Sequence, residues 1–215
     1  MSFQKAVIWD LDGTLIDSVA HHWEAWRGAM ASEGFHFTHE QFVEDFGKRN
    51  DEILRHRLDP NLSDEALQRI AERKEELYRA SVRTKGIALL PGVRYWLEHL
   101  QANEWAQALG TSAPRGNIEA IFDVLGIHQF FTAVSSSEDV AHGKPQPDVF
   151  LAAARKLNVE PGRCVVIEDA PAGIEAGRRA GMKTIGVLTT HAELQADITV
   201  KSLEDLPRDY FERLF

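Results

Sequence analysis

Two aspartates separated by one residue follow directly after a short apolar run near the start of the chain. Val7-Ile8-Trp9 has the composition of a buried strand, and Asp10-Leu11-Asp12-Gly13-Thr14 follows it. Side chains at positions i and i+2 of a strand point the same way, so the carboxylates of Asp10 and Asp12 are expected to face one site. In open α/β sheets, ligands bind beyond the carboxyl ends of the strands. The spacing therefore predicts an acidic site at the end of the first strand.

Two other interpretations of this acidic pair fit the sequence less well. An EF-hand calcium loop also begins Asp-x-Asp, but it needs Asp or Asn at its fifth position, Gly at its sixth and Glu at its twelfth. Counting from Asp10, these positions hold Thr14, Leu15 and His21, which excludes an EF-hand. A purely structural role, with Asp12 in a turn and Asp10 at the strand end, accounts for one carboxylate better than for both.

Three more segments end in polar side chains that suit the same chemistry. The apolar run 164–167 ends in two carboxylates before a proline-initiated helix, the run 106–110 ends in two hydroxyls, and a lysine precedes another helix. These side chains are Thr111, Ser112, Lys144, Glu168 and Asp169. Taken alone, Asp169 is also a good helix N-cap. Together, the carboxylates, hydroxyls and cation are groups that hold Mg²⁺ and a phosphoryl group.

Short apolar or β-branched runs alternate with helical patterns along most of the chain. Strands are predicted at 6–9, 106–111, 132–135, 164–168, 184–188 and 198–200, and helical patterns separate most of them. Alternating strands and helices are typical of a parallel sheet covered on both faces. The pattern predicts an α/β fold with a doubly wound parallel sheet, whose carboxyl edge gathers the polar strand ends.

The strand pattern is interrupted between the first strand and Pro91. Residues 17–87 contain only helical patterns, predicted at 18–33, 40–46, 51–58 and 64–83. The expected N-caps and helix ends are Thr38, Ser63, Gly34 and Gly86. We therefore predict an α/β core domain formed by residues 1–16 and 88–215, with an inserted all-helical domain formed by residues 17–87.

The composition is that of a globular protein with an acidic surface. Hydrophobic residues make up 44% of the 215 residues, and 33 acidic against 24 basic residues give a net charge of −9. This charge disfavours nucleic acid and anionic membrane surfaces as partners. The chain has no apolar run near the ~20 residues of a membrane helix and no signal-peptide pattern, so a cytoplasmic location is expected. The single cysteine, Cys164, cannot form an internal disulfide and is expected to be a core residue.

The motifs, in this order, resemble those of the haloacid dehalogenase superfamily, and specifically its phosphatases with a helical cap inserted after the first strand. The matching segments are Asp10-Leu11-Asp12-Gly13-Thr14, Thr111, Lys144-Pro145 and Glu168-Asp169. The resemblance covers essentially the whole chain. It implies a Rossmann-like core with an all-helical cap and a small phosphorylated metabolite as the binding partner.

The resemblance also implies roles for the motif residues. Asp10 is expected to be the nucleophile that accepts the phosphoryl group, and Asp12 the general acid and base. Thr111 is expected to bind phosphate oxygens, Ser112 to contact the substrate, and Lys144 to offset the charge of the transferring group. The implied cofactor is Mg²⁺. Its expected ligands are the Asp10 carboxylate, the Asp12 backbone carbonyl, Asp169 and, through water, Glu168.

The start of the inserted domain adds a more specific resemblance. Residues 17–27 resemble the first cap helix of β-phosphoglucomutases and small sugar-phosphate phosphatases, and the segment 46–50 resembles the cap loop that faces the substrate in those enzymes. His22, Lys48 and Arg49 are therefore predicted to bind the substrate, the alternative being that they belong to a solvated polar surface. The position where the mutases carry a phosphate-binding lysine is expected near Ala80.

The hypothesis that follows is a Mg²⁺-dependent phosphatase that hydrolyses small phosphate monoesters, such as sugar or related metabolite phosphates, through an aspartyl phosphate. Asp12 favours an ester substrate, because dehalogenases and phosphonate hydrolases of the superfamily lack an acid there and P-type ATPases have threonine. One alternative is a β-phosphoglucomutase, which passes the phosphoryl group to another sugar hydroxyl. The other is a non-catalytic phosphate-binding domain. A P-loop kinase is disfavoured, because no G-x-x-x-x-G-K-[ST] motif occurs.

Overall fold

Six parallel strands form the central sheet in a computed structural model that describes residues 3–45 and 48–215. The strands are β1 (Ala6–Trp9), β2 (Ala106–Gly110), β3 (Ala133–Ser135), β4 (Cys164–Glu168), β5 (Lys183–Val187) and β6 (Ile198–Val200). Their order is β3-β2-β1-β4-β5-β6, and all neighbouring pairs are parallel. From β1, the strand order thus extends to β3 on one side and to β6 on the other. This topology confirms the predicted doubly wound, Rossmann-like α/β fold.

Eight α-helices lie in the described part of the chain. They are α1 (Val19–Ser32), α2 (His39–Asp45), α3 (Asn50–Arg57), α4 (Asp64–Lys85), α5 (Val93–Ala102), α6 (Arg115–Leu125), α7 (Asp148–Leu157) and α8 (Pro171–Arg179). Among these described helices, none combines the length and the apolar character that a bilayer span requires.

The elements group into two units. The first contains the described chain up to Asp17, together with Ala88–Arg115 and Leu125–Phe215, and the second contains Ser18–Ile87 and Gly116–Val124. All six strands belong to the first unit, and α1 to α4 belong to the second. Most of α6 groups with the second unit, although its sequence follows β2. The predicted division into a core domain and an inserted domain stays a prediction.

The central strand β1 is buried along its whole length between β2 and β4. Trp9 lies opposite Leu109 on one side and opposite Ile167 on the other. The next residue, Asp10, still donates its backbone N–H to the Ile167 carbonyl, at 3.0 Å. Asp10 therefore leaves the sheet at the same edge as the end of β4, as the apolar run before it predicts.

The first unit has an apolar core between its sheet and α7. Ile8, Ala108 and Val166 from three neighbouring strands pack in one cluster with Phe150 of α7. A Cβ on Gly110 would lie only 2.8 Å from Phe150 Cδ1, so the aromatic ring packs against the bare backbone of β2. Burial of a side chain as large as Phe150 contributes about 1.5–3 kcal/mol. This packing holds the strand ends in register.

The second unit has its own apolar core and clear helix-start signals. Buried side chains in this core include Trp26, Met30, Phe42, Leu54 and Ile70. The Thr38 hydroxyl accepts from the Gln41 backbone N–H at 3.3 Å, and the Gln41 side chain accepts from the Thr38 N–H at 3.0 Å. Ser63 caps α4 by accepting from the backbone N–H of Ala66. Both predicted N-caps are confirmed, because local hydroxyl spacing specifies them.

Candidate active site

Three buried carboxylates meet at the carboxyl edge of the sheet. Asp10 follows β1, Glu168 is the last residue of β4, and Asp169 comes next. One oxygen of each lies within 4.8 Å of the others. Their exposed fractions are 6%, 1% and 3%, respectively. Like charges this close repel strongly, because a buried site screens charge less than water does. The structure therefore brings together three of the predicted metal ligands.

Lys144 supplies a cation to this cluster. Its Nζ atom donates to Asp10 Oδ1 at 2.5 Å and to Glu168 Oε1 at 2.7 Å, and its side chain is only 9% exposed. Although burial disfavours the charge, the two carboxylates hold the pKa of Lys144 above its ordinary value. The predicted cation thus lies in direct contact with the predicted nucleophile.

Glu168 is held by hydrogen bonds on both of its oxygens. Oε1 accepts from Lys144, and Oε2 accepts from the backbone N–H groups of Asp169 and Ala170, at 2.8 and 2.7 Å. These N–H groups directly precede α8, so Glu168 accepts hydrogen bonds from backbone donors that have no partner within this helix. The sequence allowed Asp169 as the N-cap, and this was wrong: the N-cap is Ala170, which has no side-chain cap.

Asp169 is held by hydroxyl groups from two other loops. Thr14 Oγ1 donates to its Oδ1 at 3.0 Å, and the Thr190 hydroxyl donates to its Oδ2. Burial and the neighbouring Glu168 raise the pKa of Asp169 to about 7. Thr190 was not identified from the sequence, since a threonine in a polar loop has no periodic or motif signal.

The charge balance of the cluster fits a divalent cation. Burial, with smaller contributions from Glu168 and Asp169, raises the pKa of Asp10 well above its ordinary value, and Lys144 only partly opposes this. One ammonium group offsets one of the three carboxylates and leaves two negative charges when all are ionised. Hard divalent cations prefer carboxylate and carbonyl oxygens. The donor set therefore suits Mg²⁺.

The other predicted residues of the first unit lie at the same sheet edge. Asp12 is half-buried and forms a bridge with Ile16. Thr111 directly follows β2 and is buried. Its hydroxyl accepts a hydrogen bond from the backbone N–H of Ala113 at 3.1 Å. Ser112 is exposed. The edge thus presents carboxylates and hydroxyls from the loops after β1, β2 and β4.

The predicted substrate-binding residues of the second unit have partners within that unit. The His22 ring stacks on Tyr78 with centroids 4.2 Å apart. Lys48 pairs with the buried carboxylate of Asp45 at 2.8 Å, and its side chain is 45% exposed. Arg49 pairs with the exposed Asp51 at 3.1 Å. Residues 46 and 47 of the predicted cap loop lie outside the described residues.

The second unit also contains a buried ion pair that sequence reasoning missed. Lys74 is 3% exposed, donates to Glu75 Oε1 at 2.9 Å, and lies near the rings of Trp26 and Tyr78. Although burial opposes it, Lys74 and two amide groups lower the pKa of Glu75. The helical spacing of four residues between Ile70, Lys74 and Tyr78 could have indicated this burial.

The amide groups that hold Glu75 come from Asn50 and Asn117. Asn50 Nδ2 donates to Oε1 at 2.8 Å, and Asn117 Nδ2 donates to Oε2 at 2.6 Å. Ala80, near which a phosphate-binding lysine was expected, is exposed on α4. The buried ammonium of this helix therefore belongs to Lys74 rather than to a residue near Ala80.

The doubly wound parallel sheet, and the buried carboxylates with their lysine at its carboxyl edge, are the features that the sequence motifs predicted. Residues 7–187 match the haloacid dehalogenase-like hydrolases. The match extends over more than half of the chain, and the protein belongs to this family. The predicted family resemblance is confirmed.

Individual relatives match 84% or more of the chain. The chain is 31% identical to fructose-1-phosphate phosphatase YqaB of Escherichia coli over 183 residues, which are 84% of this chain and 95% of that protein. It is 33% identical to beta-phosphoglucomutase of Bacillus subtilis over 208 residues, 94% of this chain and 91% of that protein. The structure of beta-phosphoglucomutase from Clostridium difficile superposes with a TM-score of 0.83 at 28% identity, covering 97% of this chain and 96% of that one.

Proposed function

We propose that the protein is a Mg²⁺-dependent phosphatase that hydrolyses small phosphate monoesters, in the class of sugar or related metabolite phosphates. The observation that carries this proposal is the buried Asp10 carboxylate against the Lys144 ammonium, with Asp169 beside it. Family membership and the 31% identity to a sugar-phosphate phosphatase support it.

In the first step, a carboxylate oxygen of Asp10 attacks the phosphorus of the ester, and the bond from phosphorus to the alcohol oxygen breaks. The Asp12 carboxylic acid donates its proton to the departing oxygen, so the alcohol leaves neutral. Lys144, already hydrogen-bonded to Asp10, offsets the charge on the phosphoryl oxygens. The products of this step are the free alcohol and an aspartyl phosphate on Asp10.

In the second step, water attacks the phosphorus of the aspartyl phosphate. The Asp12 carboxylate, left by the first step, takes a proton from this water. The bond between phosphorus and the Asp10 oxygen breaks and releases inorganic phosphate. Thr111, whose hydroxyl lies at the same sheet edge, is proposed to bind phosphate oxygens in both steps.

Asp10, Asp169 and the backbone carbonyl of Asp12 are proposed to hold Mg²⁺. When bound, the ion supplies positive charge next to the phosphoryl oxygens. Glu168 has both oxygens engaged by the protein, so we assign it to holding Lys144 and to a water-mediated contact. Asp169 is therefore the second carboxylate, besides Asp10, that is proposed to bind the ion directly.

Ser112 is proposed to contact the remainder of the substrate. His22, Lys48 and Arg49 stay candidates by their resemblance to cap residues.

A phosphomutase is the second candidate. The 33% identity to beta-phosphoglucomutase over 94% of the chain favours it. It would share the first step and then pass the phosphoryl group from Asp10 to a sugar hydroxyl instead of water. A non-catalytic phosphate-binding domain is disfavoured, because Asp10, Asp12 and Lys144 are all present.

The deciding experiment is a panel of phosphorylated metabolites incubated with purified protein and Mg²⁺, with phosphate release as the readout. We expect release from sugar or polyol phosphates, its loss in Asp10→Asn, and its abolition by EDTA with recovery on Mg²⁺ addition. Release from no compound, with Asp10→Asn indistinguishable from the wild type, would refute the enzyme proposal.

A separate ³¹P NMR experiment distinguishes phosphatase from mutase. The protein is mixed with β-glucose 1-phosphate and a bisphosphate primer. Appearance of glucose 6-phosphate without free phosphate would establish the mutase alternative, and free phosphate alone would support the phosphatase.

A further inference from the structure

The loop after β5 contributes two adjacent hydroxyls that the proposed mechanism does not use. The Thr189 hydroxyl donates to the backbone carbonyl of Gly13, in the loop after β1. The Thr190 hydroxyl donates to Asp169 Oδ2, in the loop after β4. One short segment therefore bonds to both of the acid-bearing loops.

The carboxylate of Asp169 is fixed from both sides by these contacts. Thr14 donates to Oδ1 at 3.0 Å, and Thr190 donates to Oδ2. With a donor on each oxygen, the carboxylate plane cannot rotate without breaking a hydrogen bond. Asp169 is only 3% exposed, so water is a poor replacement for either hydroxyl.

The methyl group of Thr190 is also closely packed, against the backbone of Gly13. Gly13 has φ +81°, and a Cβ at this position would lie 2.2 Å from Asp169 Oδ2 and 2.9 Å from Thr190 Cγ2. The missing side chain at residue 13 is what allows the three loops to approach. The Thr190 side chain therefore fills the space beside the carboxylate as well as bonding to it.

Other polar atoms near the Thr190 hydroxyl do not replace Asp169 Oδ2 as its acceptor. The Asp169 backbone carbonyl is 3.1 Å away, and the His191 Nδ1 atom is 2.9 Å away. The hydroxyl has one proton, and a charged oxygen is the stronger acceptor. The carboxylate thus accepts the hydrogen bond from the Thr190 hydroxyl, and His191 Nδ1 lies beside the hydroxyl oxygen.

We propose that Thr190 is a positioning residue that orients the Asp169 carboxylate for a divalent cation. The inference rests on the proposed function only in assigning the cation to Asp10 and Asp169. Hydrogen-bond partners of metal ligands typically change metal affinity 10- to 100-fold when they are lost.

The test measures Mg²⁺ binding to the metal-free protein by isothermal titration calorimetry, without substrate. Thr190→Val keeps the shape and removes the hydroxyl, and Thr190→Ser keeps the hydroxyl. Thr199→Val is the matched control, because the Thr199 hydroxyl bonds to the Leu194 carbonyl instead, at 3.2 Å. We expect the Mg²⁺ dissociation constant to rise about 10- to 100-fold in Thr190→Val and to stay at the wild-type value in Thr190→Ser and Thr199→Val.

A kinetic readout separates positioning from a general structural defect. In Thr190→Val, turnover should fall at low Mg²⁺ and recover at saturating Mg²⁺, with an unchanged circular dichroism spectrum. Should valine prevent folding, Thr190→Ala against Thr190→Ser makes the same comparison.

A Thr190→Val protein with wild-type Mg²⁺ affinity would overturn the inference, and so would a wild-type protein that binds no Mg²⁺. These results differ from a failure of the proposed function. That failure would be Mg²⁺ binding by the wild type without phosphate release from any compound of the panel.

Discussion

Gly173 lies directly against the carboxylate of Glu168. A Cβ on this glycine would lie 1.7 Å from Glu168 Oε1 and 1.9 Å from its carboxyl carbon, which is far inside van der Waals contact. Oε1 is the oxygen that accepts from Lys144. The position of Lys144 against Asp10 therefore depends on the absence of a side chain on the first turn of α8.

Replacing Gly173 with alanine should displace Glu168 and, with it, Lys144. We expect kcat to fall about 100-fold, as when catalytic groups move by about an ångström. Gly177→Ala, one turn further along α8, is the matched control, because its Cβ would meet Thr184 Cγ2 at 2.9 Å, away from Glu168. Steady-state kinetics and thermal melts compare the two. Full activity in Gly173→Ala would contradict this account.

Replacing Lys144 with methionine removes the ammonium that contacts Asp10 in the described part of the chain. We expect the free energy of unfolding to fall by about 3 kcal/mol in EDTA, because the buried carboxylates lose their counter-charge. Mg²⁺ should restore part of this loss, and kcat should fall about 100- to 1,000-fold. Urea unfolding with and without Mg²⁺ measures the stability.

Lys156→Met is the control for this change. Its ammonium pairs with Asp139 at 2.9 Å but is 36% exposed, so its loss should cost no more than about 1 kcal/mol. Equal effects of the two substitutions would mean that the contact between Lys144 and Asp10 has no special importance.

Replacing Asp12 with asparagine should affect the two chemical steps differently. With a sugar phosphate, the leaving alcohol needs a proton, so we expect turnover to fall about 100- to 10,000-fold. With p-nitrophenyl phosphate, whose leaving group needs none, the first step should persist and the second should slow. Stopped-flow absorbance should show a burst of one p-nitrophenolate per site. Unchanged sugar-phosphate turnover would exclude Asp12 as the acid.

Glu75→Gln leaves the buried ammonium of Lys74 with neutral partners. We expect the free energy of unfolding at pH 7 to fall by about 3 kcal/mol. The pKa of Glu75 is lowered in the folded protein, so its stabilising contribution is full above the unfolded pKa of ~4.3 and is lost as the pH falls through the folded value. The difference from the wild type should shrink below about pH 4.

Urea unfolding at a series of pH values measures this dependence. Glu76→Gln is the neighbouring control, since its side chain is 59% exposed beside Arg73 and should change stability little at any pH. If the loss of stability in Glu75→Gln stayed the same below pH 4, the ion pair would not be its origin.

The thiol of Cys164 should be unreactive in the folded protein. It is buried in β4, and burial raises its pKa to about 12. Because the thiolate is the reactive form, Ellman's reagent at pH 8 should modify urea-unfolded protein rapidly and native protein hardly at all. Rapid modification of the native protein would show that this strand opens.

The sheet could be predicted well from the sequence. The predicted strands at 6–9, 164–168 and 198–200 have the observed bounds, and the other three differ by one residue at one or both ends. Strands that are buried on both faces have continuous apolar sequences, so each can be recognised from its own few residues. The polar residues after these runs were also assigned correctly to one edge, because parallel strands end together.

Long-range partners could not be predicted in the same way. The sequence gives no reason for Thr190 to meet Asp169, or for Asn117 of α6 to meet Glu75 of α4, since both contacts depend on packing between distant segments. Lys48 illustrates the same limit. Its proposed role towards substrate comes from the resemblance of segment 46–50 to a cap loop and stays a prediction, and its described partner, the buried Asp45, had no signal in the sequence.

The place of β1 between β2 and β4 has a consequence for synthesis on the ribosome. Among the six strands of the sheet, β1 is made first, but its hydrogen-bonding partner on one side, β4, ends only at Glu168. The apolar segment of β1 therefore lacks one of its two neighbouring strands until residues 164–168 have been made. A prematurely terminated chain that lacks β4 would carry Asp10 without Glu168 or Asp169, so incomplete translation products should be inactive and should depend on chaperones.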